Sequence, residues 1–165
     1  MKKIFLLFSF VFAATLISCG PTTDDAIKHN DKIVADQKKM LELESNFVNS
    51  IIDNAKISII ENNYGKYIDF LKETEQKYAD MKSFDDKDTF RKAMIDLVGT
   101  FKKVAENEYK EMLDIFKKDI DELSEKDFDR WEELTNIIDE KEGKANDAFL
   151  DAQKEFAKEY KFELQ

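Results

Sequence analysis

Turn-forming residues and cysteine are scarce in this 165-residue chain, which has one proline, four glycines and one cysteine. So few turn residues exclude a β-sandwich or barrel, in which a turn recurs about every 8–12 residues. A single cysteine excludes an intrachain disulfide framework, and it excludes a zinc or iron–sulfur site built from the cysteines of one chain. What remains is a chain of one-domain size that is rich in charged and aliphatic residues.

Basic residues are also fewer than acidic residues. The chain has 26 Lys and Arg residues against 36 Asp and Glu, which gives a formal net charge of −10. Because nucleic acid phosphates would be repelled by such a protein, no nucleic acid partner is predicted. The same deficit argues against a polybasic patch for anionic membrane surfaces.

The first twenty residues have the pattern of a targeting signal. Lys2 and Lys3 precede the uncharged segment 4–17, which is too short for a membrane-spanning helix of ~20 residues. The segment ends in Leu16, Ile17, Ser18 and Cys19, which resembles the bacterial lipobox. The resemblance implies that residues 1–18 are a signal peptide and that Cys19 carries diacylglycerol and an N-acyl chain such as palmitate. An ordinary secretory signal or a short anchor is the alternative, and no other cofactor is predicted.

The residues after Cys19 bear on the destination. Gly20 stands where, by resemblance to lipoprotein sorting rules, an aspartate would imply retention in the inner membrane, so the outer membrane is predicted. Asp24 and Asp25 resemble the acidic export signals of some surface lipoproteins, but they equally suit the first turn of a helix. Display at the cell surface and an orientation towards the periplasm both stay open. We expect a tether over 19–25 and one domain over 26–165, and without residues 1–18 the charge becomes −12.

Apolar residues recur at spacings of three and four, which predicts an all-α protein. Long helices with short connections predict an elongated up-down-up-down bundle of about four helices. Helix 1 is predicted to begin after Thr22 or Thr23 and to end near Glu61, before a break at 62–65; a break at 53–54 is the rival. Its predicted buried stripe repeats every seven residues: Ile27, Val34, Leu41, Val48 and Ala55.

The later helices are predicted from similar signals. Helix 2 ends near Lys82, helix 3 runs from about 85 to Leu123, and Ser124 opens helix 4 as part of a capping box. The apolar stripe of helix 3 changes phase between Val104 and Tyr109, which indicates a local stutter. That stripe continues to Ile120, and the apolar stripe of helix 4 contains Phe128 and Trp131, of which Trp131 is expected to be buried.

No residue pattern indicates catalysis or a metal site. His29 is the only histidine, so a ferritin-like dimetal centre or a nucleophile–His arrangement lacks its partners. The acidic runs 85–88 and 119–122 do not have the glycine and glutamate spacing of an EF-hand loop, so we interpret them as caps and solvated faces. Gly99 is expected to mark a close approach of two helices, and Gly143 a point where helix 4 loosens or kinks.

Several stretches, together with the lipobox, resemble a family of bacterial helical-bundle surface lipoproteins. They are His29–Gln37, Asn107–Glu111, Ala152–Ala157 and Phe162–Leu164. The resemblance implies a lipid-anchored helical body and contributes no catalytic residue.

These observations lead to a functional hypothesis. We expect a non-enzymatic, lipid-anchored module of the outer membrane or cell surface that binds a protein partner or has a structural role. The alternatives are a periplasm-facing accessory or chaperone-like bundle, and a carrier of a small apolar ligand.

Overall fold

The computed structural model describes residues 20–164, so the segment with Leu16, Ile17, Ser18 and Cys19 lies outside the described residues. The described chain is an all-α bundle with no strand between residues 20 and 164. Its α-helices are α1 (Thr23–Ile52), α2 (Ile57–Asp80), α3 (Thr89–Val104), α4 (Lys110–Phe116) and α5 (Glu125–Tyr160). A π-helical turn, Ala105–Tyr109, joins α3 to α4, and a 3-10 turn, Ile120–Glu122, lies between α4 and α5.

Successive helices run antiparallel, as long-range hydrogen bonds show. Asn63 near the start of α2 donates to the Asn46 carbonyl near the end of α1. Arg91 at the start of α3 donates to the Tyr78 carbonyl near the end of α2, and Lys118 just after α4 donates to Asp127 at the start of α5. Thr23 at the start of α1 donates to the carbonyl of Tyr160 at the end of α5. The up-down-up-down bundle predicted from the sequence is therefore confirmed. With 30 residues in α1, its long axis extends ~45 Å at 1.5 Å per residue.

Two helix starts are fixed by capping boxes, of which the one at Ser124 is predicted from the sequence. At α1, the Asp25 backbone N–H donates to the Thr22 hydroxyl, and the Asp25 carboxylate accepts from the Thr22 backbone N–H at 3.1 Å. At α5, Ser124 and Asp127 make the same reciprocal pair. Each pair satisfies backbone donors that a helix N-terminus would otherwise leave free. α1 therefore begins at Thr23, inside the segment expected to be a tether.

The break between the first two helices is at the rival position, so the preferred break at 62–65 is wrong. α1 ends at Ile52, and Asn54 adopts a left-handed conformation with φ of 49°. Asparagine tolerates that conformation better than most residues, so Asn54 can reverse the chain. Asn62 and Asn63 lie inside α2 instead.

The buried stripe of α1 is one residue out of phase with the prediction. Ala26, Ile33, Met40 and Phe47 are fully buried, whereas the predicted stripe lies at the edge of the core and its first member, Ile27, is 36% exposed. Both stripes repeat every seven residues, so spacing alone does not separate them. The larger Met40 and Phe47 occupy the centre of the bundle.

The helices α3 and α4 and the π-helical turn between them form one rod, the third in the bundle, and it contains the predicted phase shift. A π turn accommodates one more residue than an α turn, so it restores the apolar face after Val104, and Tyr109, Met112 and Leu113 are buried. The predicted ends of this rod are wrong. It begins at Thr89, after the left-handed Asp88, and α4 ends at Phe116, short of Leu123. Helix 2 likewise ends two residues early, at Asp80.

The two glycines singled out from the sequence, Gly99 and Gly143, both lie in uninterrupted α-helix. A Cβ atom built on Gly99 would meet nothing within 4 Å, so the expected close helix approach is absent there. Gly143 is equally open, and α5 continues as α-helix through it from Glu125 to Tyr160.

The bundle has two ends of different composition. The N-terminal end comprises the start of α1, the connection 81–88 and the end of α5. The far end comprises the turn 53–56, the connection 117–124 and the start of α5.

Within residues 20–164, no helix combines the length and apolarity required to cross a bilayer.

Candidate functional site

The far end exposes most of the large apolar side chains that the bundle leaves uncovered. Ile120 is 84% exposed, Ile52 is 72% exposed and Phe128 is 63% exposed, while Ile57 and Ile59 are exposed in the first turn of α2. The N-terminal end exposes two such residues, Ile27 and Leu164. Clustered apolar exposure of this kind marks interaction sites more often than scattered single residues do.

A groove of about 480 Å³ crosses this end between the two connections. Apolar side chains dominate its wall: Ile115, Phe116, Ile120, Leu123, Phe128 and Trp131. Asn54 from the α1–α2 turn closes one side. The groove therefore joins three separate parts of the chain.

An electrostatic contact holds the wall of this groove in place. Asp127 accepts hydrogen bonds from Lys118 at 2.6 Å, from the Ser124 hydroxyl at 2.7 Å and from the Ser124 backbone N–H at 2.9 Å. These donors lower the pKa of Asp127 to about 2. Because the carboxylate stays charged down to acidic pH, the connection 117–124 remains tied to the start of α5.

A second groove, of about 240 Å³, lies beside the first. It is formed by the ends of α1 and the rod α3–α4 against α5, and it is lined mainly by Val48, Ile51, Ile52, Met112, Trp131 and Ile138. Trp131 borders both grooves, so the two form a continuous apolar surface around a half-buried indole. We call the two together the Trp131 groove.

The segment 114–133 forms most of the wall of the first groove, and this segment, called the rim below, is acidic. Between positions 114 and 133 the chain has nine acidic and four basic residues. Three of the bases are paired within the protein: Lys117 with Glu61, Lys118 with Asp127, and Arg130 with Glu111 and Glu133. Apart from Asp127 and Glu133, these acids are exposed and form no ion pair with any residue in 20–164: Asp114, Asp119, Asp121, Glu122, Glu125, Asp129 and Glu132.

Behind the second groove lies a buried polar cluster. The Tyr109 phenol, in the π turn, donates to Glu44 of α1 at 2.7 Å. Glu142 of α5 is mostly buried beside Glu44, and burial, followed by the bond to and charge of Glu44, raises the pKa of Glu142 well above the usual carboxyl range. The pair therefore retains one proton at neutral pH.

Part of this cluster has no partner among the described residues. The Tyr67 hydroxyl, Glu108 Oε2 and Glu142 Oε1 are buried without a hydrogen bond. Burial and the nearby Glu44 raise the pKa of Tyr67, so its phenol stays neutral. Glu108 Oε1 accepts from Lys141 at 2.7 Å, which places one positive charge near the cluster. Unsatisfied buried polar atoms lower the stability of a fold. Because the pKa of Glu142 is raised in the folded state, the stability of the bundle also depends on pH.

The predicted site residues lie at the opposite end. Cys19 and the lipobox fall outside the described residues, and Gly20 is exposed in a bend just before α1. Asp24 and Asp25 occupy the first turn of α1, where the hydroxyl and backbone N–H of Thr22 lower the pKa of Asp25. Their proposed role in export stays a prediction.

His29 sits at the same end in an aromatic cluster. Its ring stacks on Phe84 with centroids 4.5 Å apart, and Phe90 and Phe156 also contact it. Nε2 is buried with no hydrogen-bond partner among residues 20–164, and burial lowers the pKa of His29. The neutral ring therefore acts as a core aromatic.

The acidic runs provide ion-pair partners and solvated faces, but the expectation that they cap helices is wrong. Asp88, the N-cap of α3, and Asp119, before the 3-10 turn, make no side-chain cap hydrogen bond. Asp85 accepts from the Asp88 backbone N–H at 2.5 Å and from the Tyr160 hydroxyl at 2.7 Å, while Arg91 binds Asp88. Among the residues that the structure describes, no three His, Cys, Asp or Glu side chains are grouped so as to hold a metal ion.

Sequence reasoning misses the Trp131 groove because it assigns the groove's residues to the core. Trp131 is predicted to be buried, yet it is half-buried; Phe128 and Ile120 belong to predicted apolar stripes, yet both are exposed. The reason is that α4 ends at Phe116 and α1 at Ile52, so no helix covers the first turns of α5. The sequence signal that could have indicated the groove is the acidic connection 117–124, which has Ile120 at its centre.

Comparison with protein-family profiles, with curated proteins and with solved structures found no match.

Proposed function

We propose that this chain is a lipid-anchored, non-enzymatic module of the outer membrane or cell surface that binds a partner with its far end. The observation that carries the proposal is the Trp131 groove, which lies at the end of the bundle opposite the start of α1. An apolar surface of this size has a free-energy cost in water, and a partner that covers it recovers that free energy.

The lipobox supports the other half of the proposal. Acylation of Cys19 would leave three residues, 20–22, before α1, and an extended three-residue link reaches about 10 Å. The N-terminal end would then lie close to the bilayer. The far end would stand about 45 Å further out, beyond most of the anionic headgroup field that the acidic body avoids.

Lipid attachment is tested by labelling cells with radioactive palmitate and fractionating their membranes. We expect label on the wild type, and loss of both label and membrane retention in Cys19→Ala. Protease treatment of intact cells then separates cell-surface display from the periplasm-facing alternative. An unlabelled wild type, with unchanged retention of the variant, contradicts the anchor.

The binding role is tested by photocrosslinking in intact cells from single positions. A photoreactive residue at Phe128 or Ile120 samples the far end, and one at Ile27 is the matched control because it is an exposed apolar residue at the N-terminal end. We expect one discrete crosslinked product from the far positions that Ile27 does not give. Equal products from all three positions, or none from the far end, contradict the proposal.

The groove also favours one alternative, a carrier of a small apolar ligand, because about 480 Å³ matches the volume of ordinary ligand pockets. A carrier would retain an apolar molecule through purification, and mass spectrometry of an organic extract would detect it. A bound molecule at one equivalent, without any crosslinked protein, favours the carrier.

A further inference from the structure

We infer that the Trp131 groove binds a basic amphipathic segment of a protein, with the apolar face of that segment in the groove and its Lys or Arg residues over the acidic rim. This inference rests on the proposed function and specifies the partner's chemistry. It follows from three features of the far end: the continuity of the groove, the charge of its rim and the pairing of its bases.

Continuity indicates a segment longer than a single side chain. The two parts of the groove meet at Trp131, and their walls include the exposed Ile120 and Ile52, with Ile57 exposed at the same end of the bundle. A helix that binds a groove inserts apolar residues at three- and four-residue spacings. A strip with an indole at its centre suits such a row of anchors.

The negative charge of the rim favours a partner with positive charge. The seven exposed rim carboxylates have no ion-pair partner within residues 20–164, whereas three of the four nearby bases are already paired. Asp139, also exposed, borders the second part of the groove, and the Glu44–Glu142 pair lies behind it. The net negative charge of the rim would attract a cationic segment.

The same charge disfavours two other occupants. A second copy of this chain would bring an equally acidic far end against the first, and like charges facing each other oppose association. An anionic membrane surface would be repelled for the same reason.

The single tryptophan of the chain makes the test direct, because its fluorescence reports occupancy of the groove. The full chain is reconstituted in phosphatidylcholine vesicles and titrated with a tryptophan-free helical peptide of Leu and Lys in amphipathic order. A peptide with every Lys replaced by Glu tests charge, and a scrambled Leu/Lys peptide tests amphipathic order. We expect a blue shift of Trp131 emission and binding about tenfold tighter for the ordered Leu/Lys peptide than for either control.

Variants locate the binding. Replacing three rim acids, as in Asp119→Asn, Asp121→Asn and Glu122→Gln together, is expected to weaken binding about threefold to tenfold and to reduce its dependence on salt. The matched control replaces three exposed acids away from the far end, Asp147→Asn, Glu155→Gln and Glu163→Gln, and should leave affinity unchanged. Phe128→Ala should weaken binding, and Leu164→Ala should not; both side chains are exposed, so neither change threatens the fold.

Each other outcome contradicts a different statement. Equal binding of the Glu peptide overturns the basic partner but leaves position-specific crosslinking, and so the proposed function, intact. A far-end crosslink that joins two copies of this chain, with a dimer in sedimentation that Phe128→Asp abolishes, replaces the partner with a second copy. In a further measurement, an apolar dye is bound to the groove and each peptide is added. If neither peptide displaces the dye, the basic segment is overturned and the small-ligand carrier is favoured.

Discussion

The phenol of Tyr109 donates a 2.7 Å hydrogen bond to Glu44, and this bond joins the π turn of the third rod to α1. It also places a charged carboxylate next to Glu142 inside the bundle. The proton that Glu142 retains keeps two buried negative charges from facing each other. The stability of the bundle therefore depends on the protonation of this pair.

Replacing Glu142 by glutamine is expected to stabilise the protein at alkaline pH. The folded-state pKa of Glu142 is raised, so its contribution to stability is greatest below pH 4.5, the ordinary glutamate value, and decreases as pH rises towards the folded-state pKa. We expect Glu142→Gln to raise the free energy of unfolding by about 1 kcal/mol at pH 8 and to flatten its decline above pH 5. Urea unfolding at a series of pH values measures both.

Glu140→Gln is the matched control for that change. Glu140 lies two residues earlier on α5 and is exposed, and its pairing with Lys144 lowers its pKa. Its replacement should leave the alkaline decline as in the wild type. If Glu142→Gln keeps the wild-type slope between pH 5 and 8, the buried pair does not titrate as described.

His29 is expected to produce the opposite pH dependence. Its folded-state pKa is lowered by burial, so its contribution is complete above pH 6.5 and is lost as pH falls below that value towards the folded-state pKa. Phenylalanine would retain the stacking on Phe84 and remove the unpaired ring nitrogen. We expect His29→Phe to raise stability by about 1 kcal/mol at pH 7, and by more at pH 5. An identical acid slope in thermal melts of variant and wild type would contradict this.

The π turn predicts an asymmetry between deletion and insertion. Asn107 is exposed, and deleting it would turn Ala105–Tyr109 into an ordinary α turn with Tyr109 and Met112 still facing the core. We expect the deletion to preserve helicity, with little change in Tm. Inserting one alanine after Asn107 would rotate the following residues by about 100° and remove Met112 and Leu113 from the core, costing about 2 kcal/mol or more. Circular dichroism melts compare the two, and an equal loss for both would contradict the prediction.

Gly99→Ala and Gly143→Ala are each expected to stabilise the protein. Both positions are helical with open space where an added methyl group would lie, and neither has a positive φ. Alanine is favoured over glycine inside a helix, so each change should add about 0.5–1 kcal/mol to the free energy of unfolding, measured by urea unfolding. Destabilisation by Gly99→Ala would contradict this prediction and would support the close helix approach expected from the sequence.

Local signals in the sequence predict much of the fold. Thr22–Asp25 and Ser124–Asp127 are recognisable as capping boxes because a cap requires a hydroxyl and an acid at fixed spacing, and that chemistry is local. The shift between Val104 and Tyr109 is visible for the same reason. The break at Asn54 is the weaker of two signals because the Asn-Asn-Tyr-Gly stretch at 62–65 resembles a helix end more closely. Packing of α2 against α1 and the third rod overrides that preference.

The candidate site is not predictable in this way. Whether Phe128 and Trp131 are core or surface depends on where α1 and α4 end, and those ends are set by the turn at Asn54 and by Lys118 pairing with Asp127. Heptad spacing contains no information about such contacts, so every apolar residue in a stripe is predicted to be core.

The π turn has a consequence for the history of this chain. An α-helix with one residue more than its neighbours require can keep its downstream face only by widening one turn, so Ala105–Tyr109 is the expected trace of a single-residue insertion. The wide turn lets Tyr109 reach Glu44 of α1 while Met112 stays in the core. A chain of this fold without the extra residue should run as uninterrupted α-helix here and keep Tyr109 and Met112 in the core, so the length of the third rod can vary by one residue without a change in the bundle.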